Sequence, residues 1–247
     1  MAKEWISGRN PVYEVLQARR RHVYRLWVAQ GVEEKGRITE IIRMVERVHV
    51  PVERVPRQRI DPLGDNPQGV ALQTNDYPYS TLTDILAEGR KRGEALFVLL
   101  LDELQDPQNL GTLLRTAEAV GIHGVVIPSN RAAGVTPAVV HASSGASEHL
   151  LVAQGNLSQA ITTIKDAGGW VIGLEGSPQA QPVHTVRLDG PLALVVGSEG
   201  SGLRALTRKS CDVLISLPMR GRIESLNAAV AGSIALHLAL NARQKNG

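Results

Sequence analysis

The sequence predicts a two-part α/β protein: a short mixed α/β module followed by a larger domain built on a mainly parallel sheet. Three observations carry this. A length of 247 residues can form two cores of ordinary domain size. From residue 95 onward, long apolar strand-like runs alternate with helical patterns, as in a parallel sheet covered on both faces. Before that point the segments are shorter, and the turn-rich stretch DPLGDNPQG interrupts them.

The elements follow in order. Asn10 and Pro11 read as a cap and first helical residue, predicting a helix to about residue 18. β-formers dominate residues 23–29, predicting a strand. Apolar residues at 38, 41, 42, 45 and 48 have helical spacing, and 50–55 and 69–73 read as further strands. The stretch NDYPYSTLTDILAEGRKRG combines turn residues, Ser80 as a cap and a polar helix. A linker is therefore expected over 76–94, between domains at 1–75 and 95–247. In the second domain the runs ALFVLLLDEL, GVVIPS, LLVA, WVIGLE, LALVVGSEG and DVLISLP are strand-like, and a long terminal helix starts near Ser225.

Composition excludes several classes. The single cysteine, Cys211, permits neither a disulfide framework nor a thiolate zinc site, and points to a reducing, cytoplasmic setting. The 7 histidines lack ligand spacing with carboxylates, so no metal is expected. Ser143, Ser144 and Ser147 near His141 lack the elbow of a serine hydrolase. Apolar runs such as 95–101 are too short for a bilayer, so no membrane partner is expected. Residues 1–75 hold 13 Lys and Arg against 9 Asp and Glu, whereas 95–247 hold 11 of each. That asymmetry suits a module that attracts a polyanion joined to one that does chemistry, although a solvated basic face would look the same.

Three segments place polar residues at strand ends and helix starts, where open parallel sheets hold ligands. They are LDELQDPQNLGTLLRTAEAVG, VVGSEGSGL and LPMRGRIESLNAAVAG. In the first, Asn109 lies at a helix start, with Arg115 and Glu118 three residues apart beyond it. In the second, Gly197, Gly200 and Gly202 form a turn that could approach a ligand, and Glu199 has little packing role inside it. The loop lacks the Lys-Ser/Thr of a phosphate-binding P-loop. In the third, Ser225 reads as the cap of the terminal helix, which leaves Asn227 unexplained by capping. The small residues of AAVAGSIA permit a close-packed neighbour.

In this order and at these positions, the three segments resemble the three motifs of the SpoU, or TrmH, family of SPOUT methyltransferases, over roughly residues 95–240. The segment beginning ISGRNPVYEVLQARR is similar to the L30e-like substrate-binding domain of ribosomal members. The resemblance implies an L30e-like α/β domain before a SPOUT domain with a C-terminal trefoil knot. It also implies an S-adenosyl-L-methionine-dependent RNA ribose 2'-O-methyltransferase that works as a homodimer through its catalytic domain. Gly197, Leu217, Leu226 and neighbouring Ile215 match the donor-binding loops, and Asn109, Arg115, Glu199, Ser225 and Asn227 match the catalytic set. The substrate class is structured RNA, foremost a guanosine of 23S rRNA. A tRNA ribose, an rRNA adenosine, and a non-catalytic dimeric RNA-binding protein are the alternatives.

The family's usual proposal makes the motif-one arginine the general base. A guanidinium yields its proton only in a strongly unfavourable environment. Binding the RNA phosphate and stabilising the developing alkoxide is therefore the milder role for Arg115, with Asn109, Ser225 and Asn227 orienting. The chain is 3% aromatic, so the first domain should work on shape and phosphates, with Trp5, Tyr13, Tyr24 and Trp27 in its core. Arg9, Arg19, Arg20 and Arg21 are its candidate backbone contacts.

Overall fold

The computed structural model describes residues 3–223 and 225–246. It divides into two compact units, one of residues 1–78 with 135–149, the other of 79–134 with 150–247. The first contains β1 (Lys3–Ser7), α1 (Arg9–Ala18), β2 (Val23–Ala29), α2 (Arg37–Arg47), β3 (Val52–Val55) and β4 (Val70–Asn75). Its sheet has the order β1-β4-β2-β3, antiparallel except for the parallel β2–β3 pair. The helical spacing read in the sequence is what α2 buries: Ile38, Ile41, Ile42 and Val45 face inward, each contributing about 1.5–3 kcal/mol on full burial. On the other side of the sheet, Trp5 and Trp27 stack at 4.0 Å between centroids over a small core of Ala29, Val55, Ile60 and Ala71. The helix expected to begin at Pro11 behind an Asn10 cap starts two residues earlier, at Arg9 behind Gly8, whose φ of 96° favours glycine.

The second unit continues with α3 (Leu82–Arg92), β5 (Phe97–Asp102), α4 (Pro107–Ala119) and β6 (Gly124–Pro128). After α5 (Pro137–Ala142), which belongs to the first unit, come β7 (Val152–Gly155), α6 (Leu157–Asp166), β8 (Trp170–Leu174) and β9 (Gln181–Pro182). Then follow β10 (Leu192–Gly197), α7 (Ala205–Ser210), β11 (Val213–Ser216) and α8 (Ala228–Asn246). The strands form one seven-stranded sheet ordered β7-β6-β5-β10-β8-β11-β9, parallel at every pairing. All six residues of β5 are buried, as a continuous apolar run between two neighbours requires.

Strand alternation sends side chains to two opposite faces. On one, Val98, Leu100, Val126, Val171 and Val195 meet Ile161 and Ile164 of α6 and Ile85 of α3. On the other, α8 lies against β10 and α4. A Cβ at Gly232 would come 2.6 Å from Leu113 and 3.1 Å from Val196, and Ser233 meets Thr116 at 2.9 Å. The small-residue run of α8 thus serves close packing inside the unit.

Two expectations about organisation differ from the structure. The 76–94 stretch is no free tether, because α3 packs Ile85 into the core and is closed by a capping box between Thr81 and Asp84. Thr81 is therefore the cap, and Ser80 instead bridges to Ala153. Residues 135–149, expected within the second domain, pack with the first unit.

Candidate active site

The three polar segments converge at the C-terminal edge of the parallel sheet. Asp106 caps α4 by accepting from the backbone N–H groups of Gln108 and Asn109, which leaves the Asn109 side chain free to project from the first turn. At the end of β10, a tight hairpin closes between Ser198 and Gly202 through two backbone bonds of 3.1 and 3.0 Å. Gly197 admits no side chain, since a Cβ would lie 2.3 Å from the Gly202 carbonyl. The hairpin holds Glu199 at its tip.

Asn227 joins these pieces. Its Oδ1 accepts from Ala229 and Val230 N–H at 2.9 and 3.2 Å, capping α8. Its Nδ2 donates to Asn109 Oδ1 at 2.9 Å and to Glu199 Oε2 at 3.2 Å, and Asn109 Nδ2 donates to the same Glu199 oxygen at 3.3 Å. The Glu199 carboxylate therefore lies beside the first turns of two helices, whose positive ends favour an anion. Ser225, expected as the cap, is exposed two residues ahead; Asn227 is the cap, because its Oδ1 reaches the first-turn N–H groups. Arg115 lies on the exposed side of α4, two turns into the helix whose first turn carries Asn109.

The residues matched to a donor site share the same edge. Gly197 ends β10, opposite Asp102 of β5; Ile215 is fully buried in β11; Leu217 follows that strand; and Leu226 precedes Asn227. The Ile215 carbonyl already accepts from Glu175 N–H at 2.9 Å, so this residue offers its side chain. Sequence reasoning missed Glu175 and Ser177. At the end of β8, between β10 and β11, Glu175 Oε2 and Ser177 Oγ are buried without a hydrogen-bond partner. A buried oxygen in that condition costs about 1–3 kcal/mol, which a ligand donor can offset. Apolar walls, glycine backbone and two waiting oxygens suit a nucleoside with hydroxyl or amine donors. The available signal was the polar turn LEGS after an apolar strand.

Each unit also holds an ion-paired arginine. Fully buried Asp102 accepts from Arg204 N and Nε at 2.9 and 2.6 Å, tying the hairpin exit to the end of β5. In the first unit, Arg21 is buried and cannot contact RNA, contrary to expectation. It grips Glu148 with Nε and Nη2 at 2.9 and 2.8 Å, and reaches Glu4 with Nη1 at 2.9 Å. Burial acts to lower its pKa, but the two carboxylates outweigh that and hold it above the ordinary arginine value. Arg20 is also engaged, donating to Tyr77 Oη and to the Glu148 and Pro78 carbonyls. Arg9 is half-buried against Gln68, and Arg19 is exposed at the left-handed end of α1.

A model of the SpoU rRNA methylase family matches residues 96–237. The chain belongs to the SpoU rRNA methylase family. A second model, for the substrate-binding part of RNA 2'-O ribose methyltransferases, matches residues 5–80. The SpoU chain is 40% identical to YacO of Bacillus subtilis, provisionally named a TrmH family tRNA/rRNA methyltransferase, over 95% of this chain and 94% of that protein. Among solved structures it is similar to AviRb of Streptomyces viridochromogenes in complex with AdoMet, with a TM-score of 0.82 and 24% identity over 99% of this chain and 91% of that one. An AdoMet-bound rRNA methyltransferase of Sinorhizobium meliloti gives 0.79 and 25%, covering 96% and 86%. At such identity the AviRb likeness carries the SPOUT fold alone. Among the described residues, no helix is long and apolar enough to cross a membrane and no group of three His, Cys, Asp or Glu could hold a metal ion.

Proposed function

We propose that this SpoU chain methylates a ribose 2'-hydroxyl of structured RNA, with S-adenosyl-L-methionine as donor and a guanosine of 23S rRNA as target. The observation that carries the reading is the Asn109–Glu199–Asn227 cluster, assembled from three family motifs at the ligand-binding edge of the sheet. Gly197, Leu217 and Leu226 hold the donor's adenosine, Ile215 floors the site, and Glu175 and Ser177 supply acceptors. When bound, the donor supplies an electrophilic methyl group on a sulfonium.

The residues then divide the remaining work. Asn109 and Asn227 present amide groups that orient the ribose and fix Glu199. Exposed on α4, the Arg115 guanidinium contacts the adjacent phosphate and stabilises the 2'-oxygen as its proton passes to water. Ser225, two residues before the α8 cap, orients the sugar or phosphate. Arg19 and Arg9 of the first unit contact the RNA backbone.

We further propose a trefoil knot through the region from β10 to α8, supported by β8 lying between β10 and β11 in the sheet. Dimerisation through the catalytic unit is supported by exposed Val230 and Ile234, one turn apart on α8. A cytoplasmic setting follows from the rRNA target and the single cysteine. The relatives' shared name keeps tRNA as a second substrate reading. Labelled methyl transfer to unmodified 23S rRNA, total tRNA and a no-RNA control tests the proposal. Label in one alkali-resistant guanosine of 23S rRNA is expected. Label on tRNA alone replaces the substrate, and no label on any RNA makes the chain a non-catalytic RNA-binding protein.

A further inference from the structure

A cavity of about 370 Å³ opens at the C-terminal edge of the sheet between the ends of β6 and β7 and the starts of α6 and α7. It lies on the α6 face, whereas Asn109 and Asn227 belong to the helices on the opposite face, so it is distinct from the reaction centre. Its polar lining comes from Asn130, Asn156, Ser158 and Thr207, and its apolar lining includes Leu157 and Leu206. Leu206 stands 64% exposed at this mouth. Uncharged amides and hydroxyls around apolar walls match a planar neutral ligand with polar edges, and the volume lies at the small end of ligand sites.

Charge decides against a phosphate. Arg204 lines the cavity, but its Nε is held by Asp102 at 2.6 Å and its Nη1 by Glu103 at 3.2 Å. One guanidinium facing two carboxylates leaves the local field negative, which repels an anion. The cavity is also joined to the reaction centre through the backbone. Arg204 follows the hairpin that carries Glu199, and its anchor Asp102 is the register partner of Gly197.

We propose that this cavity receives an unstacked nucleobase of the substrate RNA, from a nucleotide flanking the methylated ribose. The proposal rests on the RNA-methyltransferase reading above. Proteins that recognise RNA sequence commonly splay single bases out of the chain and read their edges. One base held on the α6 face would fix the register of the strand whose neighbouring ribose reaches Arg115 and Asn227. The adenine of the methyl donor has the same chemistry, so the test must separate the two sources.

Gly155 gives the means. It lines the cavity, and a Cβ there meets no atom within 4 Å, so the backbone leaves room for Gly155→Leu to extend a side chain from the cavity wall. Asn130→Ala removes one polar edge. Filter binding to unmodified 23S rRNA and calorimetric titration of S-adenosyl-L-methionine are measured for each variant and the wild type. The expected result is RNA affinity weakened at least about tenfold in Gly155→Leu and about threefold in Asn130→Ala, the scale of a lost pocket contact, with donor affinity within about twofold. Unchanged RNA affinity in folded Gly155→Leu overturns the proposal. Loss of donor affinity with RNA affinity intact also overturns it and assigns the cavity to the donor's adenine. If Gly155→Leu does not fold, Asn130→Ala decides by the same two readings. Because these are binding titrations, failure of the wild type to transfer methyl groups would overturn the function proposed above without altering this result.

Discussion

Two polar clusters, one in each unit, join residues far apart in the chain. Arg21, Glu148 and Glu4 form a charged group in which both members of the central pair have no exposed side-chain surface. Asn109, Glu199 and Asn227 form a mostly neutral group at the open edge of a sheet, partly exposed to solvent. The first is closed: the guanidinium nitrogens turn to carboxylates or, at 3.2 Å, to the Asn75 carbonyl. The second lies partly exposed at the sheet edge where the reaction is proposed to occur. Polar residues that meet across the fold can therefore hold structure or do chemistry, and burial distinguishes the two.

The largest effect expected is on the closed cluster. Glu148→Gln leaves a buried arginine short of its main counter-charge, which should cost about 3–5 kcal/mol by urea unfolding. A loss below about 1 kcal/mol would mean that water enters and that the cluster is not closed. In the open cluster's unit, Arg115→Ala should lower kcat for methyl transfer by about 100-fold or more while donor affinity and unfolding midpoint hold. Lost donor affinity in the folded variant would contradict the phosphate and alkoxide role.

Asn227 serves both structure and site, and two variants separate these. Asn227→Asp keeps the capping oxygen but sets a second carboxylate beside Glu199 in place of the donated amide, so transfer should fall at least about tenfold. Asn227→Ala should lose about 1 kcal/mol of stability in addition. The smallest effect concerns His123, whose Nδ1 accepts from Phe97 N–H at 2.9 Å inside the second unit. Burial depresses its pKa below the ordinary 6.5, so the folded state holds it neutral. The unfolded chain then binds the extra proton first. Stability should be complete above pH 6.5 and decline as pH falls through the folded value, and His123→Gln should flatten that slope in thermal melts.

How much of this was legible in the sequence depended on whether the physical cause was local. The parallel sheet, the inward face of α2 and the glycine hairpin were readable because apolar period and missing side chains act within a few residues. The three polar segments were readable as a candidate site because strand ends and helix starts mark ligand edges. Long-range partners were not. Nothing near Arg21 announces Glu148, 127 positions away, so three consecutive arginines looked like a surface run when one of them turns inward. Ser225 and Asn227 both suit a cap, and the path of the chain into α8 chose Asn227. Glu175 and Ser177 stand out only once their burial without partners is known.

Glu199 is the decisive position, since it accepts two of the three amide hydrogen bonds of the cluster and stands exposed in its hairpin. The measurement is single-turnover methyl transfer to 23S rRNA by Glu199→Gln, with donor affinity and melting temperature recorded alongside. The expected rate is at least about tenfold lower, with donor affinity and melting temperature unchanged. A wild-type rate in that variant would contradict the assignment of this cluster as the reaction centre.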